Sequence, residues 1–209
     1  MRLRNMVRRH LKTPHKFLLF TDQPLGLMDS TIEVRQLEDP ALTNRSCFCR
    51  LRMFDPNWQK RNDIKGTILS LDLDLIIVAP IDDIVQISSS FKILKGVNAV
   101  NPNPFNASVM LLQSGCHREV WDDFTIEKAR QTRYHEFPDD QGWIWHKLPD
   151  ADGWKAGSES GIYGFQKPGW RTGSFDLPSD AKIVTFIGKR KPHMYKYVPW
   201  IKQHWISAA

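Results

Sequence analysis

The sequence predicts an α/β fold. Short, apolar, β-branched runs of strand length alternate with helical patterns through the first half of the chain, and the second half is more irregular. That alternation predicts a mostly parallel central sheet. The 209 residues, 41% apolar and 25% charged, suffice for one globular domain over residues 1–209 with a proper core. The run Thr67–Leu71 also ends abruptly on Asp72-Leu73-Asp74, putting two acids at a strand's carboxyl end, the edge at which open α/β sheets bind ligands.

Taken in order, Met1 to Leu11 places Leu3, Met6, Val7 and Leu11 at helical spacing with arginines elsewhere, an amphipathic helix that Pro14 ends. Lys16 to Thr21 reads as a buried strand and Thr31 to Leu37 as a weaker, alternating one, with a turn-rich loop between them. Asn44 and Ser46 serve as caps for a helix from about Cys47 to Phe54, stopped by Asp55-Pro56. After the strand at Thr67, Pro80 and Asp82 open a helix around Asp83 to Ile87, and Phe91 to Val100 reads as two short strands or a strand and turn about Gly96. Asn101 to Asn106 is a turn, Ser108 to Leu112 a buried strand, and Arg118 to Arg130 a helix. Asp139-Asp140 cap a helix containing Gln141 to His146, and short strands follow near Ile162 to Phe165 and at Lys182 to Phe186.

The chain contains no apolar segment near the ~18 residues of a membrane span, and its basic start lacks the apolar run of a secretory signal. Formal charge is +6 and the isoelectric point about 9.3, suiting anionic ligands: nucleotides, sugar phosphates, nucleic acid or an anionic membrane surface. Much of the excess lies in Arg2 to Lys16, read as a solvated basic helix face, and in Lys189 to Lys202. Cys47, Cys49 and Cys116 cannot all pair within one chain, and Cys-x-Cys without a further Cys/His cluster does not specify zinc, so free thiols in a cytoplasmic protein are expected. Trp154, Tyr163, Trp170, Trp200 and Trp205 read either as core packing or as a platform for sugar rings.

Three readings of Asp72-Leu73-Asp74 stay open on the residues alone. The acids cap and solvate a loop after a core strand. They are the Asp-x-Asp of an aspartate-nucleophile phosphohydrolase, one attacking phosphorus and the other acting as general acid, although Ile76 holds the usual Thr position. Or they share a hard cation whose shell a nucleotide diphosphate completes.

Four stretches, ILSLDLDLIIVAPIDDI, PFNASVMLL, PDDQGWIW and IVTFIGKRKPH, occur in the order found in nucleotide-sugar glycosyltransferases of the GT-A fold. Over residues 66 to 193 the chain resembles glycosyltransferase family 8 and its bacterial relatives most nearly. The resemblance implies a GT-A-like domain transferring a sugar, with retention, from a nucleotide diphosphate, a uridine one by analogy. Asp72 and Asp74 would hold Mn²⁺ or Mg²⁺, Asp74 as the direct ligand. Gly188 would let the backbone approach phosphate, Lys191 would offset the departing diphosphate, and Asp72 would also face it. Asn106, Ala107 and Ser108 would lie beside the sugar or acceptor, and Asp140 and Gln141 would flank the anomeric carbon. The implied partners are a nucleotide-sugar donor and a glycan, lipid or protein acceptor, with no nucleic acid. A degenerate relative that binds nucleotide or glycan without turnover remains the non-enzyme alternative.

Departures from the resembled pattern matter too. The family's third metal ligand, a histidine, falls on Thr185, or on Ile187 in the neighbouring register, so metal affinity should be weakened. His193 stands where the family has Trp, and Gly142 replaces a further acid. Chains of that fold open with a strand lying between those matched here by Phe17–Thr21 and Thr67–Leu71. This sequence begins on the helix, so the first strand is expected to be missing.

Overall fold

The computed structural model describes residues 2–23, 29–37, 42, 47–97, 103–132 and 139–206. The expected caps Asn44 and Ser46, and parts of the loops after Asp22 and before Asn103, lie outside them. The fold is α/β, with three small sheets among the described residues.

Helix α1 (Arg2–His10) buries Leu3, Met6 and Val7, as its spacing requires. Strands β1 (Leu18–Thr21) and β2 (Glu33–Gln36) form a parallel pair. A 3₁₀ helix, Cys47–Phe54, runs directly into α2 (Pro56–Arg61), for which Asp55 is the N-cap, its carboxylate accepting from the Asn57 N–H at 2.9 Å. Next come β3 (Thr67–Leu71), β4 (Leu75–Ile77), the single turn α3 (Asp82–Val85), β5 (Phe91–Lys95) and β6 (Phe105–Gln113). The helix expected over Arg118 to Arg130 is two pieces, α4 (Glu119–Asp122) and α5 (Ile126–Arg130). The break arises because the Thr125 hydroxyl accepts from the Lys128 N–H at 3.1 Å and starts a new helix. Helix α6 (Asp140–Lys147), strands β7 (Asp152–Lys155), β8 (Ile162–Gly164) and β9 (Ile183–Thr185), a 3₁₀ turn at Pro192–Tyr195 and α7 (Pro199–His204) complete the chain.

The sheets correct the expectation of a mostly parallel one. In the order β3-β6-β5-β7, only β5 and β7 run parallel, and in β4-β9-β8 only β8 and β9 do. Parallel neighbours need a long crossover, usually a helix. Among the described residues between β3 and β6 the only helix is the four-residue α3, too short to carry the chain back across the sheet.

Strand β6 is the spine. Residues 105–112 are all buried, with Val109 and Leu111 in one core and Met110 and Leu112 in the other. The first core packs α1, β4, β8, β9 and α7, and the second packs the 3₁₀ helix, β5, α4 and α6. Each fully buried Phe, Val, Met or Leu side chain of β6 contributes about 1.5–3 kcal/mol. By contrast β1 is half-buried rather than buried, because among the described residues it is laddered only to β2. Strand β3 is likewise laddered only to β6. Trp154, Tyr163, Trp170 and Trp200 are buried in the first core and so unavailable as a sugar platform, and Trp205 packs against it partly exposed. Among the described residues no helix is long and apolar enough to cross a membrane.

Candidate functional site

The site is built where β3 ends, β6 bulges and α6 begins. Along β6 the register with β5 jumps from Ile93↔Met110 to Leu94↔Asn106, so Ala107 to Val109 face no residue of β5. The bulge frees backbone groups that a regular ladder would use. Asn106 Oδ1 accepts from the Ser108 N–H at 3.1 Å, the Ser108 carbonyl accepts from the Asp72 N–H at 3.0 Å, and the Ala107 N–H donates to Gln141 Oε1 at 3.3 Å. Asp72 is thereby held against the bulge, and Gln141 is tied to it from α6.

Arg50 joins these pieces. Its Nη1 donates to Asp140 Oδ2 at 2.9 Å and to the Ala107 carbonyl at 3.0 Å, while its Nη2 pairs with Asp72 Oδ1. The 3₁₀ helix explains the aim: with three residues per turn, Phe48, Leu51 and Phe54 share the face buried in the second core, and Arg50 lies off that face. Nothing local in the sequence marked Arg50. The available signal was the period-three spacing of its apolar neighbours, which leaves a cation beside a buried stripe.

Asp140 sits at the first position of α6, whose N-cap is Asp139, with Oδ1 accepting from the Gly142 N–H at 2.8 Å. Its side chain is only 4% exposed, and burial pushes its carboxyl up to about 6 from an ordinary 3.8, with Arg50 opposing that rise. Burial pulls the Arg50 guanidinium down, but Asp140 and then Asp72 outweigh it and the net direction is up, so Arg50 remains a cation.

Asp74 lies in the turn between β3 and β4. Its carbonyl accepts from the Phe186 N–H at 3.2 Å, and its carboxylate pairs with the Lys191 ammonium. This fixes the segment after β9 beside the Asp-x-Asp turn, the juxtaposition expected of Lys191. Gly188, in the left-handed region at φ 71°, has no atom within 4 Å of where a Cβ would stand and makes no contact that ties it to the cluster. Thr185 does not project toward these acids: it is 1% exposed and its hydroxyl donates to the Tyr163 carbonyl at 3.4 Å.

The structure therefore brings together Asp72, Asp140, Gln141, Asn106, Ala107 and Ser108 in one network and Asp74 with Lys191 in an adjoining pair. The cations in contact with Asp72 and Asp74 are Arg50 and Lys191. Among the described residues no group of three or more His, Cys, Asp and Glu side chains is spaced to hold a metal. Two carboxylates are nonetheless a hard-oxygen donor set of the kind Mg²⁺ uses when phosphates and water supply its remaining ligands. At the opposite end of the β3–β6 pair, a depression of about 470 Å³ is lined by Thr67, Gln113 and uncharged neighbours, which offer no cation to a phosphate. Neither a family model nor a curated protein matches the chain.

Proposed function

We propose that the protein is a GT-A-like glycosyltransferase that moves a sugar from a nucleotide-diphosphate donor, a uridine one by resemblance, to a glycan, lipid or protein acceptor. What supports this reading is a single observation. Acids, amides and a lysine from four separate stretches of sequence meet around the end of β3 and the bulge of β6. The phosphohydrolase reading would use Asp72, whose Oδ1 is paired with Arg50, as its nucleophile, and finds Ile76 where its pattern has Thr.

In this reading an acceptor hydroxyl oxygen bonds to the anomeric carbon as the bond from that carbon to the diphosphate oxygen breaks; the diphosphate leaves with the electron pair and takes up the acceptor's proton. Lys191 supplies a point charge to the departing phosphates once they draw it from Asp74. Asp140, held by Arg50, and Gln141, held by the Ala107 N–H, flank the sugar, and Asn106 to Ser108 present the bulge's polar groups to it. Asp72 and Asp74 would hold Mn²⁺ or Mg²⁺, whose chemistry is Lewis-acid neutralisation of the leaving group.

Calorimetric titration of UDP with and without Mn²⁺, followed by turnover of a panel of nucleotide sugars, tests the reading. Expected are UDP binding strengthened by the metal and lost in Asp74→Asn. A beryllofluoride adduct on Asp72, the mimic of a phosphoaspartate, or no nucleotide binding under either condition, overturns it.

A further inference from the structure

The charge of this protein is divided unevenly. Residues 1–21 and 181–209 carry twelve of the 29 lysines and arginines and none of the 23 acids. These two ends of the sequence meet in space. The Arg2 guanidinium lies 4.1 Å from the centroid of the Trp205 ring, Lys196 Nζ lies 5.9 Å from the same ring, and Arg9 Nη2 donates to the His204 carbonyl at 2.7 Å. Some of the twelve are used internally: Arg4 pairs with Asp29, Lys182 with Asp83 and Lys191 with Asp74. Arg2, Arg8, Arg9, Lys196 and Lys202 form no ion pair among the described residues.

The same region carries most of the exposed large apolar side chains among the described residues, Leu73 in the Asp-x-Asp turn being elsewhere. Of the five large hydrophobics exposed among the described residues, four are here: Phe175 at 39%, Met194 at 53%, Tyr197 at 69% and Ile206 at 39%. The Phe175 and Tyr197 rings are 6.0 Å apart and Lys196 is the neighbour of Tyr197, while Met194 lies two residues before Lys196 and Ile206 directly follows Trp205, the ring that Arg2 and Lys196 approach. A solvated basic face has no use for exposed aliphatic and aromatic groups among its charges. An anionic bilayer uses both, with cations at the headgroups and amphipathic aromatics at the boundary with the acyl chains.

We propose that this face, formed by α1, the Pro192–Tyr195 turn and α7, docks the protein on the anionic headgroups of a lipid bilayer. Docking is superficial. The apolar stripe of α1 is committed to the core through Leu3, Met6 and Val7, so α1 contributes its arginines from above and does not insert. Met194, Tyr197 and Ile206 are the groups that reach below the headgroups. Nucleic acid also attracts cations and stacks on aromatics, but it offers Met194 and Ile206 nothing to pack against. The inference does not depend on the transferase reading, because it uses none of the residues of the Asp-x-Asp site.

The test is flotation of the 209-residue protein with vesicles of phosphatidylcholine alone or containing about one-third phosphatidylserine. Binding is expected only to the anionic vesicles. Each cation at an anionic surface contributes about fivefold in partitioning, so Lys196→Gln with Lys202→Gln should lower it about 25-fold. Met194→Ser with Tyr197→Ser should lower it about tenfold, and both variants should keep the wild-type circular dichroism and melting curve because the four side chains are on the surface. Equal binding to both vesicle types, or to neither, overturns the proposal. So does full competition by a 20-nucleotide RNA combined with unchanged partitioning of the Met194/Tyr197 variant, which would make the face a polyphosphate reader.

Discussion

Replacing Arg50 by methionine tests the architecture of the site without any assumption about substrate. Arg50 holds Asp140 at 2.9 Å and also engages Asp72 and the Ala107 carbonyl. Methionine keeps the apolar stem and removes the charge, leaving Asp140, 4% exposed, buried without its counter-ion. Breaking one side of a buried pair in this way costs about 3–5 kcal/mol. The cost must depend on pH. In the native protein the Asp140 carboxyl is already raised to about 6 by burial, against 3.8 when unexposed to that environment. A raised carboxyl leaves the folded state holding the extra proton between the two values, so stability falls as pH rises through that window and is level above it. Losing Arg50 lifts the carboxyl further and extends the window upward, adding about 1.4 kcal/mol per unit. Urea unfolding followed by the fluorescence of the eight tryptophans should therefore show a penalty of about 3–5 kcal/mol at pH 8, shrinking below about 2 at pH 5. Arg50→Met combined with Asp140→Asn should recover most of the loss at pH 8. An equal penalty at both pH values, or a double variant no more stable than Arg50→Met, refutes the reasoning.

If sugar transfer requires ionised Asp140, kcat/KM should rise with pH through about 6, and Asp140→Asn should lack that limb; a limb that persists in the variant rules out this assignment. Two glycines should be destabilised unequally by alanine in equilibrium unfolding. Gly188→Ala meets no atom within 4 Å and costs only the left-handed backbone, about 1–2 kcal/mol, whereas the Cβ of Gly153→Ala would stand 2.6 Å from the Ile93 carbonyl oxygen and should cost more, about 2–3 kcal/mol. The Cys47 thiol is pushed up to about 11, by burial first and then by the Asp140 charge, although the residue reaches the surface. Its alkylation by iodoacetamide at pH 8, followed by mass spectrometry, should run at least about tenfold slower than that of free cysteine.

The elements with strong local signatures were legible. The amphipathic spacing of α1, the Asp139 cap of α6, the apolar run of β3 and the Asp-x-Asp at its end all lie where the sequence puts them. Strand direction was not legible, because a strand buried on both faces, such as β6, reads as the same continuous apolar run whichever way its neighbours point. The start of β6 was hidden by Asn-Pro-Asn-Pro, which reads as a turn; Asn103 does make one, its Oδ1 accepting from the Phe105 N–H at 2.9 Å, and the strand begins at once. Strand β7, Asp-Gly-Trp-Lys, has little strand propensity and exists because its glycine lets it approach β5 closely. Arg50 depends on acids 22 and 90 residues away, a separation no local pattern can report.

The pairing of Asp72 with Arg50 and of Asp74 with Lys191 gives each acid of the Asp-x-Asp turn its own cation. An anion that enters alone must draw Lys191 away from Asp74 and strand a carboxylate. A cation that enters alone must draw the carboxylate away and strand the ammonium. When both arrive, each released group finds a new partner, and the opposing costs cancel. Whatever factor the cation contributes to anion affinity, the anion returns to cation affinity. On the proposed reading, a site so arranged would be quiet toward either ion by itself and selective for the two together, a form of discrimination that needs no shape recognition at all.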